Sequence, residues 1–550
     1  MHNWQILNAF KFDPDAQNDF RGILTNLLIN RGITGEKQVE AFLNPDLKDL
    51  TLENLGINKE AVESASQRIK KAIKDKEKIV IYTDYDADGI LSGAILWETL
   101  FSQKADIMPF VPDRIKEGYG LSIVGIDSVK SKYNPGLLIT VDHGITKASE
   151  VDYAIENGME VIIVDHHLPP VELPKAQSII HTTVLCATGL AWVFANYLKG
   201  KTQENLLDLA AIGTVADLVP LTGANRALVK FGLEKLKVTK RIGLNALFNS
   251  IGLKKGEINT FSLSHIIAPR LNASGRLTNA LDSLRLICTT DSDRAQQLAE
   301  ELNSVNRNRQ TLTKESTDLA ISQVTSSSRI IFTGHESFHQ GVIGLIAGKL
   351  VENFKRPAIV LSLGTEYCKA SVRSVKGVNI VEFLRGASEL LIDVGGHPMA
   401  AGFTVHRDNL EKLRQKISEL GENLITEENL VPEKIIDLEL DPGFIDKKLY
   451  NEIAALEPFG QGNPMPVFAG FKLSVLSSRL VGKEKNHLKL TLQSEKNPSK
   501  MINAIGFNLS EHFQLLSGGA VIDVIYQISK DDWNGPDSLI LKLKDVRLSH

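Results

Sequence analysis

Cysteine is scarce. Cys186, Cys288 and Cys368 are all that a chain of 550 residues contains, too few and too scattered for a disulfide framework or a thiolate zinc site. No apolar run approaches the ~18 residues that a membrane span needs. The opening MHNWQILNAFKFDPDAQ has neither the basic start nor the apolar stretch of a signal peptide. These absences lead us to expect a cytoplasmic protein of a reducing compartment, with no membrane partner. Neither charge sign is in large excess: 62 Lys and Arg against 66 Asp and Glu leave a net charge of −4. A globally basic coat is therefore excluded, while a local basic patch is not. With 43% apolar and 23% charged residues, bulk disorder is excluded as well. The length exceeds what a single core organises, so several domains are expected.

What is present is a repeated pattern. In KIVIYTDYDADG a short β-branched run, Ile79-Val80-Ile81, predicts a buried strand with an acidic loop at its carboxyl end. GLLITVDHG (136–144) and EVIIVDHHLPP (160–170) repeat the arrangement, ending in Asp142-His143-Gly144 and Asp165-His166-His167. Continuously apolar strands alternating with helical stretches predict an α/β fold whose parallel sheet is covered on both faces. Ligands of such sheets sit beyond the carboxyl ends of the strands, where these residues fall. From Ser292 to about Val324 a helical pattern runs without Gly or Pro, with Leu298, Leu302, Val305, Leu312 and Leu319 in register. It would extend roughly 45 Å at 1.5 Å per residue, enough to join two domains. A second α/β unit follows: RIIFTG (329–334), GVIGLIAGKLVENF (341–354), AIVLSL (358–363) and the glycine cluster GGHPMAAG (395–402). After an acidic, proline-bounded stretch near Gly421–Glu433, short alternating runs predict a small all-β barrel.

The chemistry sits in the acidic loops. Asp84, Asp86 and Asp88 open like a calcium loop, but the twelfth position is Ile95 where that motif needs an acid. Adding Asp142, Asp165-His166-His167 and the Asp217 of AIGTVADLVPL, which we read as a further strand end, gives six Asp and two His on one rim. So many carboxylates do not ionise together without strong cations. Oxygen-rich ligation with one or two imidazoles suits Mn²⁺ or Mg²⁺. Two such ions ~3.5–4 Å apart would clamp an in-line attack on a phosphodiester.

DYDADG, VDHG, VDHH and ADLVP resemble the four catalytic motifs of the DHH phosphoesterase superfamily. PDRIKEGYGLS (112–122), PRLNASGRL (269–277), HQGVIGLIAGKL (339–350), SVRS (371–374) and LEPFGQGNP (456–464) narrow the resemblance to its bacterial single-stranded-DNA-specific 5′→3′ exonucleases. Residues 1–50 are polar and helical in tendency, an N-terminal helical segment. The resemblance, which covers roughly residues 40–550, implies a DHH catalytic domain (51–291), a connecting helix (292–325), a smaller DHH-associated α/β domain (326–425) and an OB-like nucleic-acid-binding barrel (430–550). It implies one metal held by Asp88, Asp142, His166 and Asp217, and a second by Asp86, the bridging Asp142 and Asp84. Tyr82 stands where many members carry a histidine, which bears on the second site. His167 would orient or protonate at the scissile phosphate, with Arg276 and Asn272 contacting that phosphate. Arg114, Ser371 and Arg373 would bind a 5′-terminal phosphate. Gly395, Gly396 and His397 would form a close-approach anion surface, since glycine lets the backbone come near and histidine donates.

The basic run from Lys472 to Lys500 carries seven Lys or Arg and suits a strand-binding barrel. Phe459, Phe468, Phe471 and Trp533 are assigned mostly to core. The function implied is degradation of single-stranded DNA to mononucleotides in repair and recombination, by a monomer working with a helicase and a single-strand-binding protein. Two alternatives stand beside it. One is a pyrophosphatase, exopolyphosphatase or short-oligonucleotide phosphodiesterase of the same superfamily; the other is a non-catalytic DNA-binding replication scaffold.

Overall fold

The computed structural model describes residues 3–8, 10, 19–324, 328–516, 519–531, 535 and 538–549; Trp533 lies outside them. Two compact units emerge. One comprises residues 47–219 with 227–432, the other residues 1–46 with 220–226 and 433–550.

The larger unit opens on a five-stranded parallel sheet. Its strands are β1 (Ile79–Thr83), β2 (Ile107–Phe110), β3 (Leu137–Val141), β4 (Glu160–Asp165) and β5 (Ser178–His181), in the order β2-β1-β3-β4-β5. Every residue of β1 and β3 is buried, which is why these runs are continuously apolar rather than alternating. β2 and β3 leave β1 in opposite directions across the sheet, so a crevice opens beyond the carboxyl ends of β1 and β3. Helices α1 (Lys59–Lys74), α2 (Ala87–Phe101), α3 (Ala187–Lys199), α4 (Leu207–Ala216) and α5 (Ala268–Leu277) accompany it. The expectation that AIGTVADLVPL ends a strand is corrected here: Leu207–Ala216 is α4, and Asp217 is its C-cap. A helix buried on all sides is apolar all round, and such a run cannot be told from a buried strand by periodicity.

α6 (Ser292–Ser322) spans 31 residues. Its stripe does not run unbroken as the leucine spacing suggested. Leu298 and Leu302 are buried, but Leu312 is half-buried and Leu319 exposed, and the second half buries Ser316, Thr317 and Ala320. A helix passing from one core to another need not keep one buried face. It leads to a mixed sheet of β6 (Ile331–His335), β7 (Ala358–Leu363), β8 (Tyr367–Arg373), β9 (Leu391–His397) and β10 (Ala400–His406), ordered β9-β10-β8-β7-β6. α7 (Ile343–Phe354) packs against it.

In the smaller unit β11 (Phe468–Val481), β12 (His487–Ser494), β13 (Asn497–Gly506), β14 (Val521–Lys530) and β15 (Leu539–Leu548) run β11-β12-β13-β15-β14, and β14 pairs back onto β11 to close a barrel. Phe468 lies in its core, and Phe459 and Phe471 pack half-buried against buried clusters. Strand Asn3–Ile6 pairs in parallel with Glu433–Ile436. The LEPFGQGNP segment forms a carbonyl cage. The buried Arg226 donates to the carbonyls of Phe42 (2.6 Å), Leu456 (2.8 Å) and Glu457 (2.7 Å), while its guanidinium lies 3.9 Å over the Phe42 ring. Among the described residues no helix is long and apolar enough to cross a membrane.

Candidate metal centre and phosphate-binding face

The carboxyl ends of β1, β3 and β4 deliver most of the acidic residues to one rim. Asp84 follows β1. Asp86 is the N-cap of α2, its Oδ1 accepting from the N–H groups of Asp88 (2.9 Å) and Gly89 (3.1 Å). Asp88 is oriented by a second helix N-terminus: its Oδ2 accepts from Ala187 N–H (2.8 Å), and its Oδ1 from Thr188 N–H (2.9 Å) and the Thr188 hydroxyl. Asp142 follows β3 with φ of 70°, a left-handed conformation that costs a non-glycine residue about 1–3 kcal/mol and recurs at functional sites. His166 Nε2 lies 3.1 Å from Asp142 Oδ1, 3.8 Å from Asp217 Oδ2 and 3.9 Å from Asp88 Oδ2.

Three ligand sets result: Asp88, His166 and Asp217; Asp84, Asp86 and Asp142; and Asp142, His166 and His167, each with its donor atoms within 4.8 Å of one another. That span suits donors around a single ion with metal–oxygen bonds of ~2.0–2.2 Å. Asp142 belongs to two of the sets. Burial pushes all four carboxylates of Asp84, Asp86, Asp142 and Asp217 above their ordinary range, and their mutual repulsion adds to it; Asp84 reaches about 8 and Asp217 about 9. His166 is shifted down by burial, toward the neutral form that can ligate a metal. A buried acidic cluster with this oxygen-and-imidazole donor set fits divalent cations of the Mn²⁺ or Mg²⁺ kind.

Asp165 does not join the cluster, contrary to the convergence of six Asp expected from the sequence. Its Oδ1 binds His167 Nδ1 at 2.7 Å and the N–H of His166 at 2.7 Å, and its Oδ2 accepts from Ile145 N–H at 3.0 Å. Against burial, which would raise it, the His167 contact holds Asp165 well below the usual carboxylate range. The same contact raises His167, although burial opposes it. Tyr82 is fully buried, and its hydroxyl donates to the Gly120 carbonyl at 3.2 Å, turned toward a loop rather than offered as a ligand.

A set of cations accompanies the rim. Arg276 is half-buried; desolvation, then the like charges of Arg114 and Arg309, lower its pKa to about 10, with Arg373 adding to the effect and Asp86 opposing it. Guanidiniums held this close create a field that an anion relieves. Arg114 lies 4.3 Å over the Tyr85 ring. Asn272 Oδ1 accepts from Ala87 N–H at 2.6 Å, so this residue tethers the start of α2. On the second sheet, Ser371 pairs with Gly402 and Gly402 with Gly395, while Arg373 pairs with Ala400 and Ala400 with His397. Directly paired residues share a face, so Arg373, Ser371 and His397 stand on a floor flattened by glycine. Gly396, at φ 142°, completes the hairpin beside it. Gly395 and His397 are themselves exposed, whereas Arg373 and Ser371 are half-buried and 3.3 Å apart.

Arg309 was missed in the sequence, although a signal existed. Neither it nor Arg307 has an acid three or four residues away on α6 to pair with, and the Arg309 Nε has no hydrogen-bond partner among the described residues. A cavity of about 860 Å³ opens at the far end of α2, lined by Trp97, Phe101 and Arg241; it contains none of the expected site residues.

Sheet order, acidic rim and arginine-bearing second domain define a phosphoesterase of the DHH class. The profile for the DHH family N-terminal domain matches residues 78–214, that for the DHHA1 domain residues 318–423, and that for the RecJ OB domain residues 436–545. A single-stranded-DNA-specific exonuclease RecJ of Bacillus subtilis is 36% identical over 541 residues, covering 96% of this chain and 68% of its own. The chain belongs to the RecJ family. The crystal structure of RecJ from Thermus thermophilus in complex with Mn²⁺ superimposes with a TM-score of 0.83 at 28% identity, covering 100% of this chain and 80% of that one. The Mg²⁺ complex of the same protein gives 0.77 at 27%, covering 100% and 79%.

Proposed function

We propose that the protein is a metal-dependent exonuclease that degrades single-stranded DNA from the 5′ end to mononucleotides, the kind of activity used in DNA repair and recombination. The observation that carries this reading is the pairing of a buried acidic rim with unneutralised arginines in one unit, in a chain of the RecJ family. Asp88, Asp142, His166 and Asp217 would hold one divalent ion, and Asp84, Asp86 and Asp142 the second. Such ions supply Lewis-acid polarisation and ready deprotonation of the attacking water. His167, whose pKa the Asp165 contact raises, would donate a hydrogen bond or a proton at the scissile phosphate. Arg276, with Asn272 Nδ2, would hold that phosphate in line, since guanidinium geometry matches phosphate oxygens. Arg114, Ser371 and Arg373, over the floor of Gly395, Gly396 and His397, would take the 5′-terminal phosphate.

The barrel supports the strand-binding part. Arg479 and Lys489 are directly paired across β11 and β12, and Lys542 stands in the same row beyond Ile505. Like charges placed opposite one another are unfavourable unless an anion lies over them. We propose this row as the track for the phosphodiester backbone. A helicase, a single-strand-binding protein and monomeric action belong to the same proposal. A small-substrate phosphoesterase is disfavoured by the RecJ OB match, and a decayed scaffold by the intact acidic set.

Single strands labelled at the 5′ or the 3′ end, incubated with Mn²⁺, Mg²⁺ or EDTA, test the reading. Expected is immediate release of the 5′ label as mononucleotide with either metal and none with EDTA. Release of the 3′ label first, or cleavage in EDTA, would overturn it.

A further inference from the structure

The HQGVIG segment (339–344) between β6 and α7 holds no metal ligand, yet it touches both arginine positions. His339 Nδ1 accepts a hydrogen bond from Gly341 N–H at 3.0 Å. The Gly341 carbonyl in turn accepts from Arg276 Nη1 at 3.1 Å. The two backbones approach so closely that a Cβ on Gly341 would lie 2.1 Å from the Arg276 carbonyl oxygen and 3.1 Å from His339 Nδ1. One turn further on, a Cβ on Gly344 would stand 3.0 Å from Ser371 Oγ and 3.1 Å from Arg373 Nη2. Arg276 is half-buried near other cations, and the Gly341 carbonyl is the neutral acceptor that aims its guanidinium. The tight His339–Gly341 turn keeps that carbonyl pointed at it.

We propose that His339 is a positioning residue: through Gly341 it fixes the Arg276 guanidinium, and the turn thereby sets the spacing between Arg276 and the Ser371–Arg373 pair. The proposal rests on the exonuclease reading for what Arg276 does, but the hydrogen-bond relay is independent of it. His339 makes the relay as an acceptor, so asparagine, whose Oδ1 can accept from the same N–H, should substitute for it where alanine cannot.

The test is a double-mutant cycle of His339→Ala and Arg276→Ala in the full-length holoenzyme, with His339→Asn as the conservative variant. A misplacement near 1 Å costs on the order of 10²-fold, so His339→Ala is expected to lower kcat/KM roughly 10–100-fold, with part of the loss in affinity for single strands. His339→Asn should recover most of the loss, and His339→Ala should add nothing once Arg276 is alanine. The same cycle read in affinity for an uncleavable phosphorothioate strand in Ca²⁺ needs no turnover, so a failed exonuclease reading is distinguishable from a failed relay. Additive effects in both readouts, or an asparagine variant as impaired as alanine at equal melting temperature, would overturn the proposal.

Discussion

Asp142 is the residue on which the two proposed metal sites meet. It belongs to two of the three ligand sets, sits in a left-handed backbone conformation and lies 3.1 Å from His166. Asp142→Ala is expected to abolish cleavage while leaving the circular-dichroism spectrum unchanged; near-normal turnover of the folded variant would remove the two-metal assignment. Arg373 allows a finer question. If it reads a terminal phosphate together with Ser371, 3.3 Å away, Arg373→Ala should slow digestion of 5′-phosphorylated strands and spare 5′-hydroxyl strands. The two substrates would then become nearly equivalent. An equal loss on both would reassign Arg373 to backbone binding or to structure.

At the scale of the element, the carboxyl ends of β1 and β3 and the C-cap of α4 concentrate acids whose mutual repulsion a cation or a proton relieves. The folded-state pKa values of Asp84 (about 8) and Asp217 (about 9) stand above the ordinary ~3.9 of aspartate. Between these limits the metal-free folded state binds more protons than the unfolded state. The associated stability is therefore full at low pH and is lost as pH rises through about 8 to 9. The melting temperature of EDTA-treated protein should fall between pH 6 and 9, and Mn²⁺ should raise it more at the upper end of that interval than at the lower. Asp217→Asn should flatten the slope. A melting temperature that rises with pH in EDTA would contradict the burial of these carboxylates.

At the scale of the whole molecule, the barrel's role in strand binding is better tested by charge than by truncation. Cutting the chain near residue 430 would remove the carbonyls of Leu456 and Glu457 that receive the buried Arg226, and the strand that pairs with Asn3–Ile6. It would also leave Ile23, Leu27, Leu28 and Phe42, which pack in one buried cluster with residues 438–546, facing water. Residues 1–430 are therefore expected to unfold or aggregate rather than to behave as a separable nuclease, which gel filtration and thermal denaturation would report. The triple variant Arg479→Ser, Lys489→Ser, Lys542→Ser leaves the barrel intact. Each phosphate contact on a single strand contributes roughly 0.7 to the slope of log affinity against log salt, so the slope should shallow by about 2. An unchanged slope would assign the barrel surface to a protein partner.

The parallel sheet, the acidic loops at its strand ends, the long helix and the closing barrel were all legible in the sequence. Buried β-branched runs, breaker-free helical stretches and alternating patterns are local consequences of which faces meet water. The DHH motifs were legible because their residues are contiguous. Position in space was not. Asp217 reads as the end of a strand and caps a helix, and Asp165 reads as one more acid of the converging rim and instead orients His167. Arg309 comes to act on Arg276 only because α6 runs past α5, and Gly341 meets Arg276 across 65 residues of chain. LEPFGQGNP reads as a motif of unassigned purpose until Arg226 is found within it. Periodicity reports which face of an element is buried. What stands opposite that face depends on contacts between segments distant in sequence, and those were decided by the tertiary structure alone.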